Sequence, residues 1–222
     1  LQTRDLKRDA RGGYSRSGFT FGEDSYQTRE YGTEEPIDAK EVELYGDYFS
    51  VELLSTMRAV EAVLNGAEQR MVTALTALSQ TVAASVAWSN KNTAAPLDDF
   101  ATARNAIWAA TGIWPNAIAM SRNKFNHLID CAQIIDRIKS NANYEVQRGE
   151  ITESMVASAF DVDQVIVSGT AKNTAAEGQS AVVASTWTDG TVLVGKIATT
   201  NDVKEPCVGR TFHWSGDGSQ PL

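Results

Sequence analysis

His127, His213, Cys131, Cys207 and two aspartate pairs, Asp98-Asp99 and Asp161/Asp163, are the residues whose types could do chemistry in this chain. A zinc site needs His and Cys at short spacings, and the two histidines lie eighty-six residues apart with the cysteines equally scattered. Two cysteines make no disulfide framework, so they read as reduced, partly buried thiols of a cytoplasmic product. The aspartate pairs could hold a cation, yet capping of helices and strand-edge turns explains them first. No Gly-x-Ser-x-Gly elbow and no Walker-type glycine loop occurs, and Ser215-Gly216-Asp217-Gly218 is tail composition. The expectation is a protein that is not an enzyme, with no catalytic, metal-binding or cofactor-binding residue and no cofactor.

Charge and aromatic side chains offer a different chemistry, that of recognition. Residues 1–16 carry Arg4, Lys7, Arg8, Arg11 and Arg16 against Asp5 and Asp9, a balance of +3. Residues 23–52 carry Glu23, Asp24, Glu30, Glu34, Glu35, Asp38, Glu41, Glu43, Asp47 and Glu52 against Arg29 and Lys40, a balance of −8. A basic arm ahead of an acidic stretch invites pairing between neighbouring copies, although two solvated segments would look the same. Tyr14, Phe19, Phe21, Tyr26 and Tyr31 lie in this polar, glycine-rich region, whereas a disordered tail is usually poor in aromatics. The candidate inter-subunit residues are therefore Arg8, Arg11, Tyr14, Arg16, Phe19, Phe21, Tyr26 and Arg29. Glu34, Glu35, Glu41 and Asp47 form the acidic counterpart.

The element that must position these groups runs from Asp38 to about Leu78. Val42, Tyr45, Phe49, Leu53, Met57, Val60, Leu64, Met71, Leu75 and Leu78 recur three or four apart, drawing one apolar stripe along a helix. Glu41, Asp47, Glu52, Arg58, Glu61, Glu68 and Arg70 would form its solvated or partner-facing side. Forty such residues would span roughly 60 Å, longer than a small domain is wide. Asp38 can cap the start with Glu41 completing an approximate capping box; Gly46 and Asn65-Gly66 each weaken the helix interior, and a kink or short break is expected near Gly66.

The remainder is ordinary soluble material: of 222 residues, 42% are hydrophobic and 22% charged. No apolar run approaches the ~18 residues of a membrane span. A net charge of −8 argues against a protein that grips nucleic acid over its whole surface. Ser17 to Gly22 alternates like a strand, with Tyr26 to Tyr31 as its returning partner. A helix opens at Pro96, capped by Asp98 or Asp99, and Gly112 stops it. Ala117 to Ser121 reads as a short buried strand, with Ser121 or Asn123 capping the next helix. Further helices begin near Ala132 and Thr152, and Asp163 to Val167 is a strand. Ser180 to Trp187 and Thr191 to Ile197 read as strands joined across Thr188-Asp189-Gly190, a hairpin signal. Pro206 to Trp214 reads as one more strand. Strands interleaved with short helices make an α/β or α+β domain.

In order, these signals resemble the major capsid proteins of tailed bacteriophages, whose fold is shared with encapsulins and gene transfer agents. "TGIWPNAIAMSRNKFNHLIDCAQIIDRIK", through Thr111, Gly112, Pro115, Asn116, Leu128, Ile135, Asp136, Ile138 and Lys139, is similar to that family's helix, PN turn, strand and helix run. "ITESMVASAFDVDQVIVSGTAKNTAAEG" is similar to its next segment, with Asp161 where a glycine is common. "STWTDGTVLVG" and "CVGRTFHW" resemble its strand pair and exit strand, and "YGTEEPID" and "APLDDF" fall in the expected places.

The resemblance implies an α+β capsid fold: an N-terminal arm (1–11), an extended hairpin loop (12–36), a peripheral domain with a long spine helix (37–95) and an α/β axial domain (96–205). Residues 206–222 would be a return strand, apparently truncated because family members carry more strands there. It implies a structural protein assembling into hexamers and pentamers of an icosahedral shell around double-stranded DNA, bound non-specifically, in the virion and built in the bacterial cytoplasm. Portal, scaffold or decoration proteins would be its other partners, and no membrane would be. The alternative within the same fold is an encapsulin-type nanocompartment shell.

Overall fold

Asp38 accepts a hydrogen bond from the Lys40 amide at 3.0 Å, and helix α1 (Ala39–Tyr45) begins there. This computed structural model describes residues 25–142, 151–176 and 178–212, together with Lys7, Gly12, Tyr14, Arg16, Gly18, Gly22 and Glu23. After α1 the chain turns through Gly46 to Phe49, and Ser50 caps helix α2 (Val51–Thr76), its side chain accepting from the Leu53 amide at 3.2 Å. The expected single helix is thus two, broken at Gly46–Ser50 and not at Gly66. Both glycines weaken a helix, but only the first is followed by a serine able to restart one. Gly46 also approaches its own helix closely, since a Cβ there would lie 2.6 Å from the Val42 carbonyl oxygen. Gly66 continues inside a helix of 26 residues, roughly 39 Å long.

Helix α3 (Pro96–Thr111) starts on a proline at its first turn, with no side-chain cap. Asp98 and Asp99 do not cap it as expected; they lie in its first turn, where the helix dipole favours negative charge, and hydrogen-bond elsewhere. Gly112, left-handed at φ 71°, ends the helix as expected. Strand β1 (Ala117–Ser121) is buried at all five positions, and Ser121 then caps helix α4 (Arg122–Ile129) through the Lys124 amide. Helix α5 (Ala132–Ala142) and helix α6 (Glu153–Phe160), capped by Thr152, complete the crossover to strand β2 (Gln164–Ser168). Strands β3 (Ala171–Asn173), β4 (Val183–Ser185) and β5 (Leu193–Gly195) follow.

The main sheet has the order β2-β1-β5. β1 and β2 are parallel, with Ile118 opposite Val165, while β1 and β5 are antiparallel, with Ile118 opposite Val194. β3 and β4 form a separate antiparallel pair. The expected hairpin across Thr188-Asp189-Gly190 is therefore absent: β4 pairs with β3 and β5 with β1. Asp189 is instead drawn to Ser121 and Asn123 at the far end of β1. Residues 206–212 form no strand; Val208 donates to the Lys196 carbonyl, and its side chain would meet any Cβ at Gly195 at 2.2 Å. Tyr26 to Tyr31 likewise form no strand. Ser17, Phe19, Thr20 and Phe21 of the expected ribbon lie outside the described residues, as do His213 and Trp214.

The molecule is mixed α and β, with six helices and small sheets among its described residues. Its main core joins Trp88, Phe100, Ile118, Met120, Phe125, Leu128, Ile134, Val156 and Phe160 beneath β1, α4, α5 and α6. A small second cluster of Val72, Ala119 and Trp187 seats the end of α2 against the opposite face of the sheet.

Candidate functional site

Helix α2 has the length to contribute a large core and contributes one buried residue, Val72. Leu53, at 62% exposure, Met57, at 61%, and Leu54, Val60, Leu64 and Met71 all face outward. Leu44, Tyr45, Tyr48 and Phe49 of α1 and the turn are exposed as well, with Tyr45 and Phe49 stacked at 5.8 Å between ring centroids. Phe49, Ser50, Leu53, Leu54 and Met57 line a shallow apolar groove of about 260 Å³. Scattered exposed leucines are normal on a protein surface, and a contiguous stripe of this kind is not.

The N-terminal segment extends the same character. Tyr14 is 75% and Tyr26 72% exposed, although Tyr26 stacks on Phe212 at 5.0 Å. The Arg70 guanidinium lies 3.5 Å over the Tyr31 ring. Arg16 and Arg29 are exposed; Arg8, Arg11, Phe19 and Phe21 lie outside the described residues. On the acidic side Glu34, Glu41 and Asp47 are exposed, while Glu35 is engaged within the chain, paired with Arg58 at 2.9 Å.

One residue of the expected solvated face is instead half-buried against the body. Glu68 Oε1 accepts from Thr170 Oγ1 at 2.6 Å, Ser168 Oγ at 2.7 Å and Trp187 Nε1 at 2.8 Å. Burial pushes its carboxyl up, but the three donors outweigh that and hold it below the ordinary carboxylate value. With Val72 four residues on, Glu68 anchors about the last two and a half turns of α2 to the body, leaving nearly five turns ahead of it. Sequence spacing placed Glu68 with the charged residues because its partners lie about a hundred positions away.

A second cluster also escaped the sequence reading. Trp108 and Trp114, half-exposed at the end of α3, stack at 5.8 Å, and the Arg104 guanidinium stands 5.2 Å from the Trp114 centroid. Arg104 Nε has no acceptor, and Nη1 reaches the exposed Asp161 only at 3.9 Å. Two tryptophans six apart across a helix-ending glycine were the available signal.

Several residues with catalytic potential are held in structural contacts. Ser121, His127 and Asp189 come near one another, but Ser121 is wholly buried, accepting from the Lys124 amide and donating to Asp189. Bonds from Ser121 and Asn123 lower the Asp189 carboxyl. Asp99 accepts from the Ser85 amide at 2.8 Å and Trp88 Nε1 at 2.9 Å; these bonds outweigh burial, which pushes its carboxyl up, and lower it. Cys131 is buried, and burial pushes its thiol up, disfavouring the thiolate. No group of three metal-ligating side chains exists among the described residues, and no described helix is long and apolar enough to cross a membrane.

Compared with known proteins, the chain matches no described family and no curated protein. Among solved structures it is similar to a phage-related protein of Bordetella bronchiseptica RB50, with 24% identity and a TM-score of 0.44. The match covers 54% of this chain and 37% of that one, so this chain spans well under half of that protein's length. At that level of likeness neither activity nor assembly passes from that protein to this one.

Proposed function

We propose that this chain is a structural shell subunit, the major capsid protein of a tailed bacteriophage, which associates with its own copies as hexamers and pentamers around double-stranded DNA. The observation that carries the reading is α2: a helix of 26 residues that buries only Val72 while its apolar stripe stays in water. Such a helix gains stability from packing and not from propensity alone, so its stripe calls for other chains. The ordered likeness of residues 31–214 to phage capsid proteins names the kind of assembly. In this reading no catalytic step exists. The basic arm pairs with an acidic stretch of a neighbour or faces the packaged DNA, and portal and scaffold or decoration proteins are the remaining partners.

Electron microscopy and sedimentation of the purified chain test the proposal. Closed particles, or rings of five or six, are expected. A compact monomer at all concentrations, with α2 covered by its own N-terminal residues, overturns it. Particles holding protein cargo and no nuclease-protected DNA would instead identify an encapsulin-type shell. Deleting residues 1–11 is expected to slow assembly followed by light scattering and to flatten its salt dependence.

A further inference from the structure

The short ribbon of β3 and β4 has an open side. Two flanking bonds set its register: Thr174 donates to the Val182 carbonyl and Thr186 to the Thr170 carbonyl, each at 2.9 Å. With Lys172 opposite Ala184 between them, Val182, Ala184 and Thr186 turn their main chains toward β3. Val183 and Ser185 therefore aim their N–H and C=O groups away from it, and among the described residues nothing bonds to those groups. Val182 is 56% and Val183 74% exposed. From Gly178 to Thr188 the sequence holds no charged residue and no proline. Proteins ordinarily blunt an open strand edge with a lysine, a proline or a bulge, because it templates pairing with another chain. β3 carries Lys172, and β4 carries neither a charge nor a proline. The base of the ribbon is firmly held, since Thr170 and Trp187 donate to Glu68 and Thr186 and Trp187 are buried. An edge so fixed has little ordering left to lose on pairing.

Resting on the self-assembly reading above, we propose that β4 of one copy pairs antiparallel with β4 of a second across a two-fold axis at Val183. The product is a four-stranded sheet with the two β4 strands at its centre. Val183 then exchanges both main-chain bonds with its own equivalent, and Ser185 pairs with Ala181. The axis falls at Val183 because residues 178–183 are exposed while Thr186 and Trp187 are buried in the body. A second copy is the occupant this strand fits: its side chains are all neutral, so self-pairing sets no like charges opposite each other. Val183 meets Val183 on one face and Val182 meets Ala184 on the other, and β-branched residues suit such a sheet. The contact is isologous, so it joins copies in twos and leaves ring contacts to other surfaces. It is small, and repetition around a shell multiplies its effect.

Val183→Pro tests the contact without touching the ribbon, since the N–H it removes points away from β3. Each two-fold contact loses two donors, so self-association in sedimentation is expected to fall at least about tenfold, with the urea-unfolding midpoint unchanged. Val183→Lys supplies the missing guard and is expected to weaken association likewise. Cys131 is fully buried, so Cys207→Ser removes the accessible thiol. In that background Val183→Cys would place two thiols on Cα atoms about 5.5 Å apart in the pair, within bridging distance. Mild oxidation is expected to give a disulfide-linked dimer, and Val203→Cys, comparably exposed at 70%, to give none. If the chain associates, neither Val183→Pro nor Val183→Lys weakens it and Val183→Cys links no better than Val203→Cys, the β4 contact is wrong and the shell reading stands. If the chain sediments only as a monomer, both fall.

Discussion

Residues 88–187 and residues 39–78 have similar shares of apolar side chains and opposite fates. In the body, Met120, Leu128, Ile134 and Val156 have no solvent exposure, packed between a three-stranded sheet and three short helices. In the rod, the stripe from Phe49 to Met71 is about half exposed throughout, and Val72 alone is buried. The body satisfies itself. The rod is held only at its end, by Glu68 and the Val72 cluster, and its free turns are stabilised by caps at Asp38 and Ser50 more than by contact. Burial is thus decided by topology and not by composition. The same residue type is buried in one region and left in water in the other.

Truncating one leucine in each region breaks or upholds that contrast most strongly. Leu128→Ala empties a fully buried position and is expected to cost about 3–5 kcal/mol in urea unfolding. Leu53→Ala, on an exposed position, is expected to change monomer stability by less than about 0.5 kcal/mol while reducing self-association. Equal losses of stability would mean that α2 is packed within its own chain, and the contrast would collapse.

The seams between parts come next. At Gly195 a Cβ would enter the Val208 side chain, so Gly195→Ala is expected to cost about 1–3 kcal/mol and loosen residues 199–210 from β5. Glu68→Gln keeps the shape of the anchor but replaces charge-assisted acceptors, for an expected loss of about 1–2 kcal/mol at neutral pH. The sign of its pH dependence follows from a folded carboxyl held below its unfolded value. Its contribution is present in full above the unfolded pKa and is lost as pH falls through the folded one. Acid titration of stability should therefore be shallower in Glu68→Gln than in the parent, and an identical slope would show that the anchor carries no charge.

These seams are where the sequence was least legible. Local chemistry read correctly: Ser121 and Thr152 cap, Gly112 ends α3 in the left-handed region, and β1 is a buried run. Each depends on neighbours within four residues. The misreadings were set by distant partners. Thr188-Asp189-Gly190 carries good hairpin residues, yet Asp189 is pulled to Ser121 and Asn123, and Leu193 pairs with Ala119. Such bonds join positions some seventy apart, and no window on the sequence contains both ends. The break at Gly46 was half legible: the glycine was visible, but Ser50 read as one more helical position. Glu68 was placed with the solvated face for the same reason, its three donors lying on β2, just after it and after β4.

Asp161 gives the smallest effect and ties body to surface. It ends α6 at φ 57° and ψ 50°, the left-handed region that costs an ordinary L-residue about 1–2 kcal/mol, and an aspartate less. It is the one non-glycine there among the described residues. Its side chain is 96% exposed and stands 3.9 Å from Arg104, too open for that contact to repay the strain. Glycine relieves the strain but adds freedom to the unfolded chain, so Asp161→Gly is expected to gain only about 0.5 kcal/mol. That is about 1–2 °C in thermal unfolding for a chain of this size. The same change strips Arg104 of its one carboxylate contact. A fall in the unfolding temperature would mean that the Arg104 contact outweighs the backbone strain.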